Sequence, residues 1–316
     1  MIKTAVIGTG SIGAEHLTAI EHSDEFALAA VCDTNYERAE VFGKKYNVPV
    51  FTDYREIPEK TDAEAVILNL PHFLHCEAAV FFLEKGLHVL VEKPMANTVE
   101  ECDKMLEAAK RSGKKLAVGH VQRYFNANRA VKDCISSGRL GRLIMYEERR
   151  TTNYFDEKRP KWFLKKSSAG GGIVMNYGAH ALDKIFYAAG VHNGEIFSEC
   201  ANFKNDFDIE GHSQFMLRFK DGFSASVTFS GYGCCGYEVI YYFTDGALNV
   251  SDGINLREYK NGKWESTGIV EDGLFMDRQL GEFAKMIRNE KTEITDGEYG
   301  RAVIAAIEKI YKNEVI

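Results

Sequence analysis

Thr4-Ala5-Val6-Ile7-Gly8-Thr9-Gly10-Ser11-Ile12-Gly13 is the most informative stretch of the chain. A short apolar run ends on Gly-x-Gly-x-x-Gly, and a helical pattern over 11–22 begins at once. In such a turn the first glycine permits the reversal, the second lets backbone approach a pyrophosphate, and the third lets helix pack on strand. The helix N-terminus then offers unpaired N–H groups to phosphate. Outward from the turn, Asp33 closes the next apolar run, 20 residues after Gly13. There a carboxylate can accept the hydroxyls of an adenosine ribose, and it can also cap the helix that follows. It would repel a 2′-phosphate, and Thr34 and Asn35 follow it rather than arginine. NAD is therefore expected over NADP, with Arg38, one turn into the next helix, as the opposing feature.

Further out, short apolar runs at 3–7, 27–32, 64–69, 87–91 and 115–119 alternate with helical patterns at 11–22, 35–46, 72–85 and 98–112. This alternation is that of an α/β doubly wound parallel sheet, a Rossmann domain over 1–120. Beyond Gly119 the pattern becomes period-2, and Asp221-Gly222, Asp245-Gly246, Asp252-Gly253 and Asn261-Gly262 punctuate it as hairpin turns. A mostly antiparallel sheet with closing helices at 275–289 and 297–313 makes 121–316 an α+β second domain. The basic run from Arg139 to Arg150 reads as a solvated strand edge.

Composition narrows the partners. The 316 residues suit two domains, and the net charge of −7 disfavours a polyanion such as nucleic acid. No apolar run approaches a membrane span of about 18 residues, and the first residues lack a signal-peptide pattern. Seven scattered cysteines, without C-x-x-C, suggest buried free thiols and a cytoplasmic location, with the adjacent Cys234-Cys235 pair structural. His72-x-x-His75 supplies two ligands at most, and His16 and His22 lie on a helix without partners, so no metal is expected.

Two further segments carry chemistry. Val91-Glu92-Lys93-Pro94 stands at the carboxyl end of a late strand, where ligands of open sheets bind; the alternative is a surface lysine on a strand exit. Gly170-Gly171-Gly172 precedes Asn176, His180 and Asp183, which share one face if the segment is helical, the glycines allowing close backbone approach. A half-buried packing histidine is the alternative there.

Together, Gly8-Thr9-Gly10-Ser11-Ile12-Gly13, Pro71-His72-x-x-His75, Glu92-Lys93-Pro94 and Gly-Gly-Gly…Asn176-x-x-x-His180-x-x-Asp183 resemble the glucose-fructose oxidoreductase, inositol dehydrogenase and MocA family across essentially the whole chain. The resemblance implies nicotinamide-dependent oxidation or reduction of sugars, polyols or their derivatives, and self-association through the second domain's sheet. It makes Lys93 the residue that touches the reacting hydroxyl and His180 its partner in proton transfer, and it implies a cis Lys93-Pro94 bond. Asn69, Leu70, Pro71, His72, His75, Glu92 and Lys93 then line the cofactor, as does Trp162, although Phe163 departs from the arginine common beside it. Gln122, Arg123, Asn176, His180 and Lys93 face the substrate. Asn176 stands where polyol dehydrogenases of this kind often carry aspartate, and an amide orients but accepts no proton at neutral pH. A redox-assisted glycosidase with retained NAD and a catalytically silent cofactor-binding regulator stay open as alternatives.

Overall fold

Ala5, Val6 and Ile7, Ala65 to Leu68, and Val89 to Val91 are buried to the last residue, runs that only a sheet covered on both faces can hide. The computed structural model describes residues 1–190, 195–203 and 206–312. In chain order the first elements are β1 (Ile2–Ile7), α1 (Ser11–His22), β2 (Phe26–Cys32), α2 (Tyr36–Tyr46), β3 (Val50–Phe51), α3 (Ile57–Lys60), β4 (Ala65–Leu68), α4 (His75–Glu84), β5 (His88–Glu92), α5 (Val99–Ser112) and β6 (Leu116–Gly119). Their parallel order is β6-β5-β4-β1-β2-β3, which reverses direction at β1, the switch point where such sheets bind ligands. Every strand anticipated from the sequence is present. Two-residue β3 and one-turn α3 are additions, too short to carry a periodic signal.

The later elements are α6 (Asn126–Ser137), β7 (Leu143–Asn153), α7 (Lys166–Ala169), α8 (Ala179–Ala189), β8 (Glu195–Ala201), β9 (His212–Arg218), β10 (Ser224–Ser230), β11 (Tyr232–Phe243), β12 (Gly246–Ser251), β13 (Asn255–Lys260) and β14 (Lys263–Ser266), then α9 (Phe275–Ile287), β15 (Thr295–Asp296) and α10 (Gly297–Lys312).

Two compact units result. The first holds Met1–Val121 and Leu274–Arg301, the second Gln122–Gly273 and Ala302–Ile316. The sequence reading has one crossing near residue 120. The structure adds a second excursion, because β15 pairs antiparallel with β6, and α9 packs on α1 with Leu280 and Phe283 in a core shared with Leu17, Ile20 and Phe26. The rings of Phe26 and Phe283 stack at 6.1 Å.

The second unit's sheet runs β14-β13-β12-β11-β7-β10-β9-β8. Asp221-Gly222, Asp245-Gly246, Asp252-Gly253 and Asn261-Gly262 each join two antiparallel strands, as read. The expectation of a solvated edge at Arg139–Arg150 is overturned: β7 is interior, parallel to β10 and antiparallel to β11. Its charged residues come in pairs, Glu147-Glu148 and Arg149-Arg150, so Glu147 and Arg149 face outward while Tyr146, Glu148 and Arg150 face inward. On the buried face one cross-strand row reads Phe215, Val227, Glu148, Val239, Val250 and Leu256, apolar except for Glu148.

The thiols also differ from expectation. Cys32, Cys102, Cys134 and Cys200 are buried, but Cys234 and Cys235 are exposed, because they sit in a register shift of β11 between Tyr232 and Gly236.

Candidate active site

The dinucleotide turn is built by close backbone packing. Gly8 has φ +87, and a Cβ there would lie 2.3 Å from the Asn69 carbonyl oxygen; one on Gly13 would lie 2.0 Å from the Gly8 oxygen. Both positions therefore require glycine for the fold itself. Gly10 is different: a Cβ there meets no protein atom within 4 Å, and no side chain caps α1 at that residue. The first N–H groups of α1 thus look onto open space, flanked by exposed Ser11 and Ile12. Beside them Asn69 is half-buried, but the nitrogen and oxygen of its amide are buried, and neither has a hydrogen-bond partner among the described residues. An orphaned amide next to an open, uncapped helix N-terminus fits a phosphate-bearing dinucleotide.

Asp33 sits at the end of β2 and is already well supplied. Its Oδ2 accepts from Thr9 N at 2.8 Å, Thr9 Oγ1 at 3.0 Å and Arg38 Nε at 3.0 Å, and its Oδ1 from Asn35 N at 2.9 Å and Arg38 Nη2 at 2.7 Å. Burial works to raise the carboxyl's pKa, but the Arg38 fork and the two backbone N–H groups outweigh it and hold it below the usual range. The helix-capping role falls instead to Asn35, whose Oδ1 accepts from Arg38 N at 2.9 Å. A ribose hydroxyl reaching Asp33 must share it with, or displace, the half-exposed Arg38 guanidinium.

The carboxyl ends of β4 and β5 carry the remaining first-unit residues. His75 is fully buried with Nδ1 2.9 Å from the Pro94 oxygen and Nε2 2.8 Å from the Leu70 oxygen, so it clamps the two loops together. A neutral ring donates to one carbonyl at a time. Donation to both needs protonation, which burial opposes by lowering the pKa. Leu70 and Pro71 are half-buried and His72 is buried, its ring 5.8 Å from that of His75. Glu92 accepts from Lys93 N at 3.1 Å and lies 3.0 Å from His16 Nε2, a partner the sequence reading withheld from His16. Burial opposes ionisation of Glu92; His16 and Lys93 outweigh it and keep the carboxyl below its ordinary value. Lys93 follows at the strand exit, half-buried, and its bond to Pro94 is cis.

In the second unit, Asn176 stands in a π-helical turn, Val174–Gly178, that leads directly into α8 and His180. Such turns recur at functional sites. They also advance the chain by more than an α-helical turn, so Asn176, His180 and Asp183 do not form one uninterrupted α-helical face. Asn176 hydrogen-bonds the Tyr154 hydroxyl, which donates to the Gly172 oxygen at 3.0 Å. The glycine run allows close approach, but of protein: a Cβ on Gly171 would strike the Tyr311 hydroxyl and one on Gly172 the Glu210 backbone, each at 2.0 Å. Glu210 accepts from Gly172 N at 2.8 Å, Val174 N at 2.9 Å and Tyr311 Oη at 2.9 Å, and so caps the segment. Burial raises its pKa against those donors.

Asp183 is buried and ion-paired with Arg123, whose guanidinium lies 4.8 Å from the Tyr187 ring. Gln122 Oε1 accepts from Lys184 Nζ at 3.3 Å. Trp162 lies in the 3₁₀ turn Lys161–Leu164, half-buried and stacked on Phe163 at 3.8 Å. Glu148, Lys184, Tyr154, Glu210 and Tyr311 escaped the sequence reading. Only Glu148, a charge at a period-2 position between Tyr146 and Arg150, left a signal that could have found it. No group of three or more His, Cys, Asp or Glu able to hold a metal occurs among the described residues, and no described helix is long and apolar enough to cross a membrane.

Two family models match this chain. Residues 2–120 match the family model described as oxidoreductase family, NAD-binding Rossmann fold, and residues 128–248 that of the GFO/IDH/MocA C-terminal domain. A dehydrogenase of 1-carboxy-3-chloro-3,4-dihydroxycyclohexa-1,5-diene from Comamonas testosteroni is 31% identical over 232 residues, 73% of this chain and 58% of that protein. The chain therefore spans under two thirds of that relative's length. The scyllo-inositol 2-dehydrogenase (NADP(+)) of Bacillus subtilis is 27% identical over 315 residues, covering 97% of this chain and 94% of the relative. The structure of aldose-aldose oxidoreductase from Caulobacter crescentus shares the fold, with TM-score 0.90, 23% identity, and 99% and 97% of the two chains covered.

Proposed function

The chain belongs to the GFO/IDH/MocA oxidoreductase family, and on that premise we propose that it transfers a hydride between a nicotinamide dinucleotide and a carbinol or carbonyl carbon of a sugar, polyol or sugar derivative. The observation that carries this reading is the orphaned Asn69 amide beside the uncapped Gly10 turn, with Lys93 at the exit of β5 in the same unit. When bound, nicotinamide supplies the hydride chemistry. The protein must position the carbon and manage one proton, a task worth about 10²- to 10⁴-fold.

In this reading Lys93 hydrogen-bonds and polarises the reacting oxygen, and His180 exchanges the proton with it. Asn176, held by Tyr154, orients the substrate without accepting a proton. Gln122 and Arg123 contribute on the substrate side, and Trp162 on the cofactor side. NAD is the preferred form in this proposal, because Asp33 stays ionised at the ribose end and already engages Arg38, the cation a 2′-phosphate would need. The full-length relative named as NADP-dependent makes this a matter for direct comparison.

Self-association belongs to the same reading. Phe197 and Met216, 51% and 41% exposed, are cross-strand neighbours on the open face of the second unit's sheet and give it an apolar patch. A cytoplasmic location fits seven cysteines that form no disulfide.

The test follows absorbance at 340 nm with NAD and NADP across aldoses, inositols, uronic acids and sugar nucleotides. Turnover releasing free NADH supports the dehydrogenase. Glycoside cleavage without net NADH favours redox-assisted hydrolysis, and the absence of any turnover would sink the enzymatic reading.

A further inference from the structure

The buried face of β7 carries Tyr146, Glu148 and Arg150 at successive inward positions, and α8 lies over it. Lys184 of α8 meets Glu148 at 3.3 Å, and Tyr177, in the π turn two helical turns earlier, meets Arg150 with its ring centroid 3.7 Å from the guanidinium carbon. His180 lies between these two contacts along the helix, so Arg150 stands at the level of the Asn176–His180 segment. On its other side Arg150 faces Tyr237, its cross-strand partner, at 4.8 Å.

Around α8 the charges do not balance. Glu148 is engaged by Lys184 and by the Tyr146 hydroxyl, and Asp183 by Arg123. Three cations, Lys184, Arg123 and Arg150, thus share two carboxylates. Arg150 is the one left over: its buried Nη1 has no hydrogen-bond partner among the described residues. The Glu148 Oε1 atom also lacks one, and it lies one inward position away along the strand. Two tyrosine rings hold the guanidinium plane, which removes rotamer freedom and leaves the N–H edge as the available recognition surface. A half-buried guanidinium fixed in this way is suited to a planar or tetrahedral oxyanion, which it can bind by two parallel hydrogen bonds.

We propose that Arg150 is an anion-recognising residue of the substrate site, and that the substrate of this protein is an acidic sugar or polyol carrying a carboxylate or phosphate. The inference rests on the oxidoreductase reading for the site's location and refines its substrate class. The Asn176–His180 segment then holds the reacting end and Arg150 the charged end of one small molecule.

The test compares matched pairs, D-glucose with D-glucuronate, D-gluconate and D-glucose 6-phosphate, and the same series for galactose and mannose, in the wild-type protein and in Arg150→Met and Arg150→Lys. Two readouts are taken: kcat/KM at 340 nm, and ligand affinity by isothermal titration in the presence of NADH, which needs no turnover. Expected is a preference for acid over neutral member of about 10- to 100-fold, lost in Arg150→Met and partly restored in Arg150→Lys, each variant retaining the wild-type melting temperature. Preference for the carboxylates over the phosphate, or the reverse, assigns the oxyanion. Arg150-dependent binding of an acid without any turnover would uphold the inference while removing the enzymatic reading. Turnover of neutral sugars equal to or above that of their acids, equal loss of both in Arg150→Met, or no acid binding at all would overturn the inference; the first two leave the enzymatic reading intact.

Discussion

Lys184 Nζ lies 3.3 Å from Glu148 Oε2, and the two side chains are 2% and 0% exposed. The ammonium also donates to the His180 oxygen at 3.2 Å and to Gln122 Oε1 at 3.3 Å. One buried cation therefore ties the sheet to the helix that presents His180. Burial pushes its pKa below the ordinary lysine value, with Glu148 opposing.

Breaking this pair from one side strands a buried charge. Lys184→Met is expected to cost about 3–5 kcal/mol of stability. Lys184→Met combined with Glu148→Leu should recover most of it, because the charge and its counter-charge leave together. Urea denaturation of the two singles and the double closes the cycle, and simple additivity of the losses would show that the pair is not coupled.

The glycine turn separates a folding requirement from a binding requirement. Gly13→Ala should lower stability sharply, since its Cβ would overlap the Gly8 oxygen. Gly10→Ala should leave the melting temperature within a degree or two and weaken NADH binding at least about tenfold. Fluorescence titration and differential scanning calorimetry on both variants check this, and an unaltered NADH affinity in Gly10→Ala would remove the turn from the cofactor site.

At the exit of β5, Lys93→Ala is expected to keep NADH affinity within a few-fold while kcat falls by about 10²- to 10⁴-fold. Lys93→Arg should rescue little, since a planar fork does not replace a compact ammonium. Turnover at the wild-type rate would return Lys93 to a strand-exit surface role.

His88 gives a pH dependence with a definite sign. Its Nδ1 accepts the Lys115 N–H at 3.0 Å, so the ring must be neutral, and burial followed by Lys114 and Lys115 brings its pKa down to about 4. The unfolded chain titrates near 6.5 and so binds the proton first. Stability is full above about pH 6.5 and falls as pH drops toward 4, by up to about 3 kcal/mol. His88→Asn keeps an acceptor but cannot titrate, and its stability should be flatter over that window.

Two adjacent thiols, Cys234 and Cys235, are exposed while four others are buried. Titration of the native protein with Ellman's reagent should show two fast-reacting thiols, and Cys234→Ser with Cys235→Ser should abolish the fast phase. Fast modification of more than two would contradict the burial pattern.

The parallel sheet and crossover helices of residues 1–120 were legible in the sequence. Residues 4–13 and Asp33 interact over one strand-helix-strand repeat, where period, glycine spacing and chain direction are local properties. It likewise marked the hairpins, because Asp-Gly and Asn-Gly encode turn geometry in two residues. Long-range packing places β7 inside its sheet, returns residues 274–301 to the first unit, and sets the glycine run at 170–172 against Glu210 and Tyr311. It also decided which charges meet: Arg38 with Asp33, Lys184 with Glu148 and Arg123 with Asp183, while Arg150 lies between two tyrosine rings and its Nη1 has no hydrogen-bond partner among the described residues. These are contacts between residues distant along the chain. Their energy depends on burial and separation, which no local pattern records.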